Sequence, residues 1–165
     1  MKILKELKKK FDEYKIDGYV IPKNDEFFSE YSNKDRLKVI SNFSGSAGYA
    51  VVLKKKNYLF VDGRYTLQAK IESGENFKII DYNKLINCKI FKNLKLGIDA
   101  RIFTKKQIKN FFSKNKIKII KRNLVDEISN INENKNPLFY SLDTKIVGES
   151  HNKKINKITN FLKKN

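Results

Sequence analysis

Apolar residues open the chain at Ile3, Leu4, Leu7, Phe11 and Tyr14, with lysines between them. Steps of three and four residues put these side chains on one stripe, which predicts an amphipathic helix ended by Asp17-Gly18. Tyr19-Val20-Ile21-Pro22 then reads as a short buried strand stopped by proline. One helical turn is expected within Asp25 to Tyr31, and a polar stretch follows it. Tyr49–Leu53 and Tyr58–Val61 are β-branched and aromatic runs joined through Lys54-Lys55-Lys56-Asn57, the pattern of a hairpin. A helix is predicted from Gly63 to Ser73, with Tyr65, Leu67, Ala69 and Ile71 as apolar positions and Gly74 closing it.

The second half continues the alternation. Phe77–Ile80, Leu94–Ile98 and Lys116–Ile120 read as strands, and Thr104 is placed to cap a helix carrying Ile108, Phe111 and Phe112. Leu124–Ile128 has the pattern of a short helix. Strands alternating with helices predict an α/β fold in which a mixed β-sheet is flanked by helices on both faces, mixed because of the hairpin. Beyond Ser129 the pattern lapses: Asn130 to Pro137 is polar and rich in asparagine, as linkers are. A second amphipathic pattern at Ile155, Ile158, Phe161 and Leu162 follows, with Ser150 as its candidate N-cap and no strands after it. The expected organisation is a domain over residues 1–129, a linker over 130–147, and a C-terminal helix over 148–165 that begins a second domain.

Composition supports a folded chain. Of 165 residues 40% are hydrophobic, including 12 phenylalanines and 8 tyrosines, enough for a real core. No run approaches the roughly 18 apolar residues of a membrane span, and MKILKELKKKF lacks the apolar segment of a secretory signal. A single cysteine, Cys88, excludes an internal disulfide and fits a reducing cytoplasm. Net charge is +18, which invites a nucleic-acid reading. Against it, only four of 36 basic residues are arginine (Arg36, Arg64, Arg101 and Arg122), although arginine is the usual choice for forked phosphate and base contacts. The charge predicts salt-sensitive, non-specific attraction to polyanions.

The small-residue stretch Ser44-Gly45-Ser46-Ala47-Gly48 resembles a phosphate cradle at first sight. It lacks the Lys-Ser/Thr pair of a P-loop, and Gly48 leads into a strand, so no helix N-terminus is available for an anion. The spacing is also wrong for a nucleophile elbow, and the one histidine, His151, lies far along the chain. Close backbone packing is the expected role of Gly45 and Gly48. Asp62-Gly63-Arg64-Tyr65 falls at the carboxyl end of a strand, where ligand sites of α/β folds gather. Asp62 is a candidate helix cap, Arg64 has Asp62 and Glu72 as candidate partners, and substrate contact stays open for both. Asp25, Glu26 and Glu30 cluster without imidazole support and read as caps and lysine partners rather than metal ligands.

Taken in order, these blocks resemble the N-terminal region of cytosolic-type, three-domain Xaa-Pro aminopeptidases of the creatinase/prolidase group. The family's Asp-Xaa-His-Xaa-Ser/Gly-Glu-Tyr segment is matched by Asp25-Glu26-Phe27-Phe28-Ser29-Glu30-Tyr31, and Gly-Phe-Thr-Gly-Ser-Ala-Gly by Asn42-Phe43-Ser44-Gly45-Ser46-Ala47-Gly48. Asp62-Gly63-Arg64-Tyr65, Leu67-Gln68-Ala69, Leu96-Gly97-Ile98-Asp99, Asn123-Leu124-Val125-Asp126 and Gly148-Glu149-Ser150 follow in family order. The chain departs from the pattern at Phe27, where the family has histidine, at Asn42, where it has glycine, and at Ser129, where an aromatic residue is usual.

The resemblance implies a non-catalytic domain with a ribonuclease H-like motif. In such enzymes a C-terminal domain holds two metal ions, commonly manganese, that polarise the Xaa-Pro peptide carbonyl. No cofactor is expected in this chain, and no catalytic or metal-ligating residue is carried over to it. Arg36, Asp62 and Arg64 are the candidates for a domain-interface or entrance role, with Gly45, Gly48 and Gly63 as structural loop residues. Implied partners are the remaining domains of the peptidase, in cis or as a separate chain, and a second copy in a homodimer of the intact enzyme. The alternative from another class is a stand-alone basic module that binds acidic protein or nucleic acid.

Overall fold

Six strands form one sheet in the order β4-β3-β2-β1-β5-β6. The computed structural model describes residues 1–29, 34–86, 88–129 and 141–164. The strands are β1 (Gly18–Pro22), β2 (Tyr49–Leu53), β3 (Asn57–Val61), β4 (Lys78–Asp81), β5 (Lys95–Ile98) and β6 (Lys116–Ile119). β2 runs antiparallel to both β1 and β3, whereas β3–β4, β1–β5 and β5–β6 are parallel pairs. The sheet is therefore mixed, and the Lys54–Lys56 hairpin supplies its antiparallel part. All strands except β2 consequently present their carboxyl ends at one edge.

Alternation along the central strands fills two cores. Tyr19, Ile21, Ala50, Val52, Leu59 and Val61 face one side, where helices α1 (Lys2–Glu13), α2 (Arg36–Ser41), α3 (Thr66–Ser73) and α5 (Leu124–Ile128) contribute Leu7, Phe11, Leu37, Ile40, Ala69 and Leu124. Val20, Tyr49, Val51, Tyr58 and Phe60 face the other, against α4 (Lys105–Phe112) and the 82–103 connections. Burial on both faces explains why the strands read as continuous apolar runs. α4 starts with the expected Thr104 cap, completed by Gln107 as a capping box.

Helix α1 ends earlier than Asp17-Gly18. Its last turn closes with Ile16 N–H on Phe11 O at 2.9 Å and Lys15 N–H on Asp12 O at 3.1 Å, with Lys15 itself at φ 48. That is the bonding of a glycine-type C-terminal cap made by a lysine. Gly18 instead opens β1, where a Cβ would lie 2.7 Å from Val52 O of the neighbouring strand. Lys15→Gly removes the left-handed strain of an L-residue and is expected to stabilise the domain by about 1 kcal/mol in urea denaturation.

Two further expectations are corrected. Asp25–Ser29 is a turn rather than a helical turn: Asp25 Oδ1 accepts from the Phe27 and Ser29 amides at 2.9 Å, and Phe28 sits at φ 59, which cannot continue a helix. Glu30 and Tyr31 lie outside the described residues. Helix α2 occupies part of the stretch read as merely polar. Asp35 caps it by accepting from Lys38 N–H at 3.0 Å, and Asn42 ends it at φ 64. Asparagine is the residue after glycine best suited to that left-handed position, which accounts for the Asn42 departure.

Residues 134–165 form a separate compact unit. Most of the expected linker, 130–140, lies outside the described residues. Within the unit Asp143 caps the short helix α6 (Thr144–Val147), and Gly148 at φ 81 ends it. Helix α7 (His151–Lys164) follows, with Ser150 Oγ accepting from Lys153 N–H. Ile155, Ile158, Phe161 and Leu162 are all exposed on it, as is His151.

Candidate functional site

The carboxyl edge of the sheet gathers the chemistry. β1 runs out into Lys23 and Asn24, β3 into Asp62, β4 into Tyr82 and β5 into Asp99. A cleft of about 320 Å³ lies among the first of these, lined by Lys23, Asn24, Ser46, Tyr49, Asp62 and Tyr82, with Phe28 at its rim. Lys23 is buried and its ammonium pairs with Asp35 at 2.5 Å. Asn24 Nδ2 donates to Ile102 O at 3.0 Å, tying the end of β1 to the turn after β5.

The glycine loop forms one wall of the cleft. Phe43 is completely buried beneath it, and a side chain at Gly45 would run into the Phe43 ring. At Gly48 a Cβ would lie 3.1 Å from Phe60 O and 3.3 Å from Phe43 Cε1. Both glycines thus let backbone pass close to an aromatic ring. Gly63 differs: nothing lies within 4 Å of a Cβ there, so packing does not require glycine. The loop is fastened to α3 by polar contacts. Glu72 accepts from Ser44 N–H and Ser44 Oγ at 2.7 Å, and Ser46 Oγ meets Tyr65 Oη at 2.8 Å. The Ser44 amide and the Gln68 and Ser44 side chains hold the Glu72 carboxyl below its ordinary range.

Of the two candidate partners for Arg64, the pair formed is with Asp62. Asp62 accepts from Arg64 N–H at 2.9 Å, capping the 3₁₀ turn Gly63–Tyr65, and from Arg64 Nη2 at 2.7 Å. Arg64 is 76% exposed and also lies 5.3 Å from the Tyr65 ring centroid. The Arg64 side chain holds Asp62 below the usual carboxylate range.

Arg36 occupies a different setting. Its side chain is 2% exposed, and its guanidinium forks onto Asp126 at 2.7 and 2.8 Å while donating to Glu26 at 2.8 Å. Arg101 forks onto buried Asp99 at 3.0 and 2.7 Å and approaches Glu26 at 3.9 Å. Asn123 caps α5 and donates to Asp99 at 3.2 Å. Burial opposes charge on Arg36 and on Glu26, yet their hydrogen bonds prevail, raising the one and lowering the other. Asp99 behaves like Glu26: burial would raise it, and Arg101 pulls it below the ordinary value. The cluster thus fastens the turn carrying Phe27 and Phe28 to α2, to α5 and to the end of β5. Glu26 pairs with arginine here rather than with the lysines expected for it.

Residues 3–126 match the Creatinase/Prolidase N-terminal domain family. The chain belongs to that family. The creatinase/prolidase domain here has relatives among Xaa-Pro aminopeptidases. It is 34% identical over 173 aligned positions to a probable Xaa-Pro aminopeptidase P of Coprinopsis cinerea, covering 94% of this chain and 27% of the relative. It is 33% identical to Xaa-Pro aminopeptidase 1 of Dictyostelium discoideum, covering 90% of this chain and 28% of the relative. The chain therefore spans less than a third of the length of these relatives. In fold it is similar to the crystal structure of X-prolyl aminopeptidase from Caenorhabditis elegans, described as a cytosolic enzyme with a di-nuclear active site. That likeness has a TM-score of 0.67 and 24% identity, over 99% of this chain and 31% of that one. The N-terminal domain of the cytoplasmic peptidase PepQ from Mycobacterium tuberculosis H37Rv is similar over 78% of this chain and 98% of its own, with a TM-score of 0.59 and 17% identity.

With the family in place, the blocks of the creatinase/prolidase domain acquire positions. Asp25-Glu26, Leu96–Asp99 and Asn123–Asp126 converge on Arg36 and Arg101, and the Ser44–Gly48 and Asp62–Tyr65 blocks flank the cleft. Sequence reading missed this convergence. A signal was available in composition: three of the four arginines in a lysine-rich chain make forked contacts to carboxylates, the task for which lysine cannot substitute. Phe27, where the resemblance leads one to expect histidine, is 89% exposed on its turn. Cys88 is buried, and burial raises its thiol pKa.

Proposed function

We propose that this chain works as the non-catalytic N-terminal domain of a metal-dependent Xaa-Pro aminopeptidase, shaping access to an active site that lies in other domains. The span of the similarity carries this reading: relatives match almost the whole chain and extend beyond it by more than two thirds of their own length. Among the described residues no three His, Cys, Asp or Glu side chains converge in a way that could hold a metal ion. The acids that do gather, Glu26, Asp99 and Asp126, are taken by arginines. These residues do not fit a pair of manganese ions, and the reading places the ions in the catalytic domain. Residues 148–165 begin the second domain, whose remaining elements would cover the exposed apolar face of α7. The intact enzyme is cytoplasmic, and among the described residues no helix is long and apolar enough to cross a membrane.

The three candidate residues then divide by exposure. Arg36, buried, would set the position of the turn bearing Phe27, whereas Asp62, which lines the cleft, and Arg64, paired to it, would meet the catalytic domain. The test has two arms. The purified chain, supplied with manganese and an Xaa-Pro peptide, is expected to release no N-terminal residue. Turnover that survives repurification and scales with the chain would overturn the reading. Grafted in place of the matched segment of the Coprinopsis cinerea relative, the chain is expected to restore peptidase activity that deletion of the segment abolishes.

A further inference from the structure

Half of the net charge sits in one stretch. Between Asp99 and Asp126 the sequence holds nine basic residues and no acidic one. Lys105, Lys106 and Lys109 are exposed on α4, and Lys114, Lys116, Lys121 and Arg122 are exposed on and around β6. None of these seven forms an ion pair among the described residues. β6 is also an edge strand, paired with β5 alone among the described residues.

The two faces of that edge differ. Lys116 and Lys118 share one face, on which Lys118 Nζ donates to Tyr14 O at 2.8 Å. Ile117 and Ile119 share the other, in register with Leu96 and Ile98, and Ile119 is 62% exposed. A groove of about 390 Å³ opens beside the strand, lined by Tyr14, Lys118, Ile119, Lys121 and Arg122.

We propose that β6 is a docking edge for an extended acidic segment of another protein, one in which acidic and apolar residues alternate. Adding such a strand would satisfy the outward backbone groups of β6, set carboxylates on the face of Lys116, and cover Ile119 on the other face with an apolar side chain, while Lys121, in the bend just past the strand, would meet the charged end of the segment. Without a partner the lysines keep the edge from pairing indiscriminately. A second copy of this chain does not fit, because it would bring two uncompensated basic stretches together. A nucleic-acid backbone would use the lysines but leaves the apolar face of the edge without a purpose, and arginine is scarce here. The inference concerns the edge farthest in strand order from β4 and does not depend on the peptidase reading.

The probe is a fluorescent peptide alternating glutamate with valine over about six residues, one strand length, titrated into the full chain and followed by anisotropy. Saturable binding is expected. It should weaken on the order of tenfold in Lys116→Glu/Lys121→Glu and fall comparably in Ile119→Lys. All three positions are exposed, and circular dichroism checks that each variant folds. The same peptide N-methylated at every residue needs no protein variant and should not bind, because neither of its edges can donate to the ladder. The proposal is overturned by failure of the alternating peptide to bind. It is equally overturned if the N-methylated peptide, polyglutamate or a single-stranded oligonucleotide binds as tightly with the same salt dependence, since charge alone then suffices.

Discussion

Arg36→Ala is expected to lower the stability of the domain by about 3 kcal/mol at neutral pH, a large share of the roughly 5–15 kcal/mol that holds a domain together. The physical cause is what remains after truncation. Glu26 and Asp126, which face one guanidinium at 2.8 and 2.7 Å, would stand near each other without it. The urea midpoint should fall with little change in slope, the sign of lost stability rather than of a different unfolded state. Arg36→Lys should recover only part of the loss, because an ammonium cannot serve two carboxylates with the geometry of a fork.

Acid should expose the same linkage. Glu26 has a folded pKa below its unfolded one, with burial opposing and the Arg36 hydrogen bonds producing the depression. The folded state therefore binds fewer protons than the unfolded state through the acid range. The stabilisation is fully present above the unfolded carboxylate value, about 4.3, and is lost as pH falls through the folded value. Wild-type stability should drop over that interval, and the gap between wild type and Arg36→Ala should narrow with it. A gap that stays constant down to acid unfolding would show that Arg36 acts through packing alone.

Sequence periodicity was informative wherever one covalent segment carried its own signal. Leu4, Leu7 and Phe11 disclose α1, and the Val- and Tyr-rich runs disclose the strands, because burial imposes a period on neighbours in the chain. The Thr104 cap of α4 and the Asp62 cap were equally local. Helix α2 escaped because six residues hold less than two turns of pattern, and its limits are set by Asp35 and by the left-handed Asn42. The end of α1 was misplaced because glycine usually takes the left-handed cap, and Lys15 takes it here. Convergence of Glu26, Arg36, Asp99 and Asp126 could not be read from spacing. The residues come from four separate segments, and only the topology brings them to one edge.

Phe43→Ala should have an effect of similar or greater size, about 3–5 kcal/mol. Its ring is fully buried, meets Tyr65 edge-on at 5.8 Å, and fills the space that the glycines leave open beneath the loop. Removing it takes away the object around which Gly45 and Gly48 are arranged, and the backbone near Phe60 O limits how far the loop can collapse inward. The melting temperature should fall by more than about 10 °C on the usual scaling for a domain of this size. Phe43→Leu, which keeps most of the volume, should cost less than about 1.5 kcal/mol. The loop also lines the cleft, so the damage should be local before it is global. Ser44 N–H, donated to Glu72 at 2.7 Å, is expected to lose hydrogen-exchange protection well below the melting transition, while the amides of β2 keep theirs. Ser44 and β2 amides losing protection together would mean that loop and sheet open as one unit, and that the wall of the cleft has no mobility of its own.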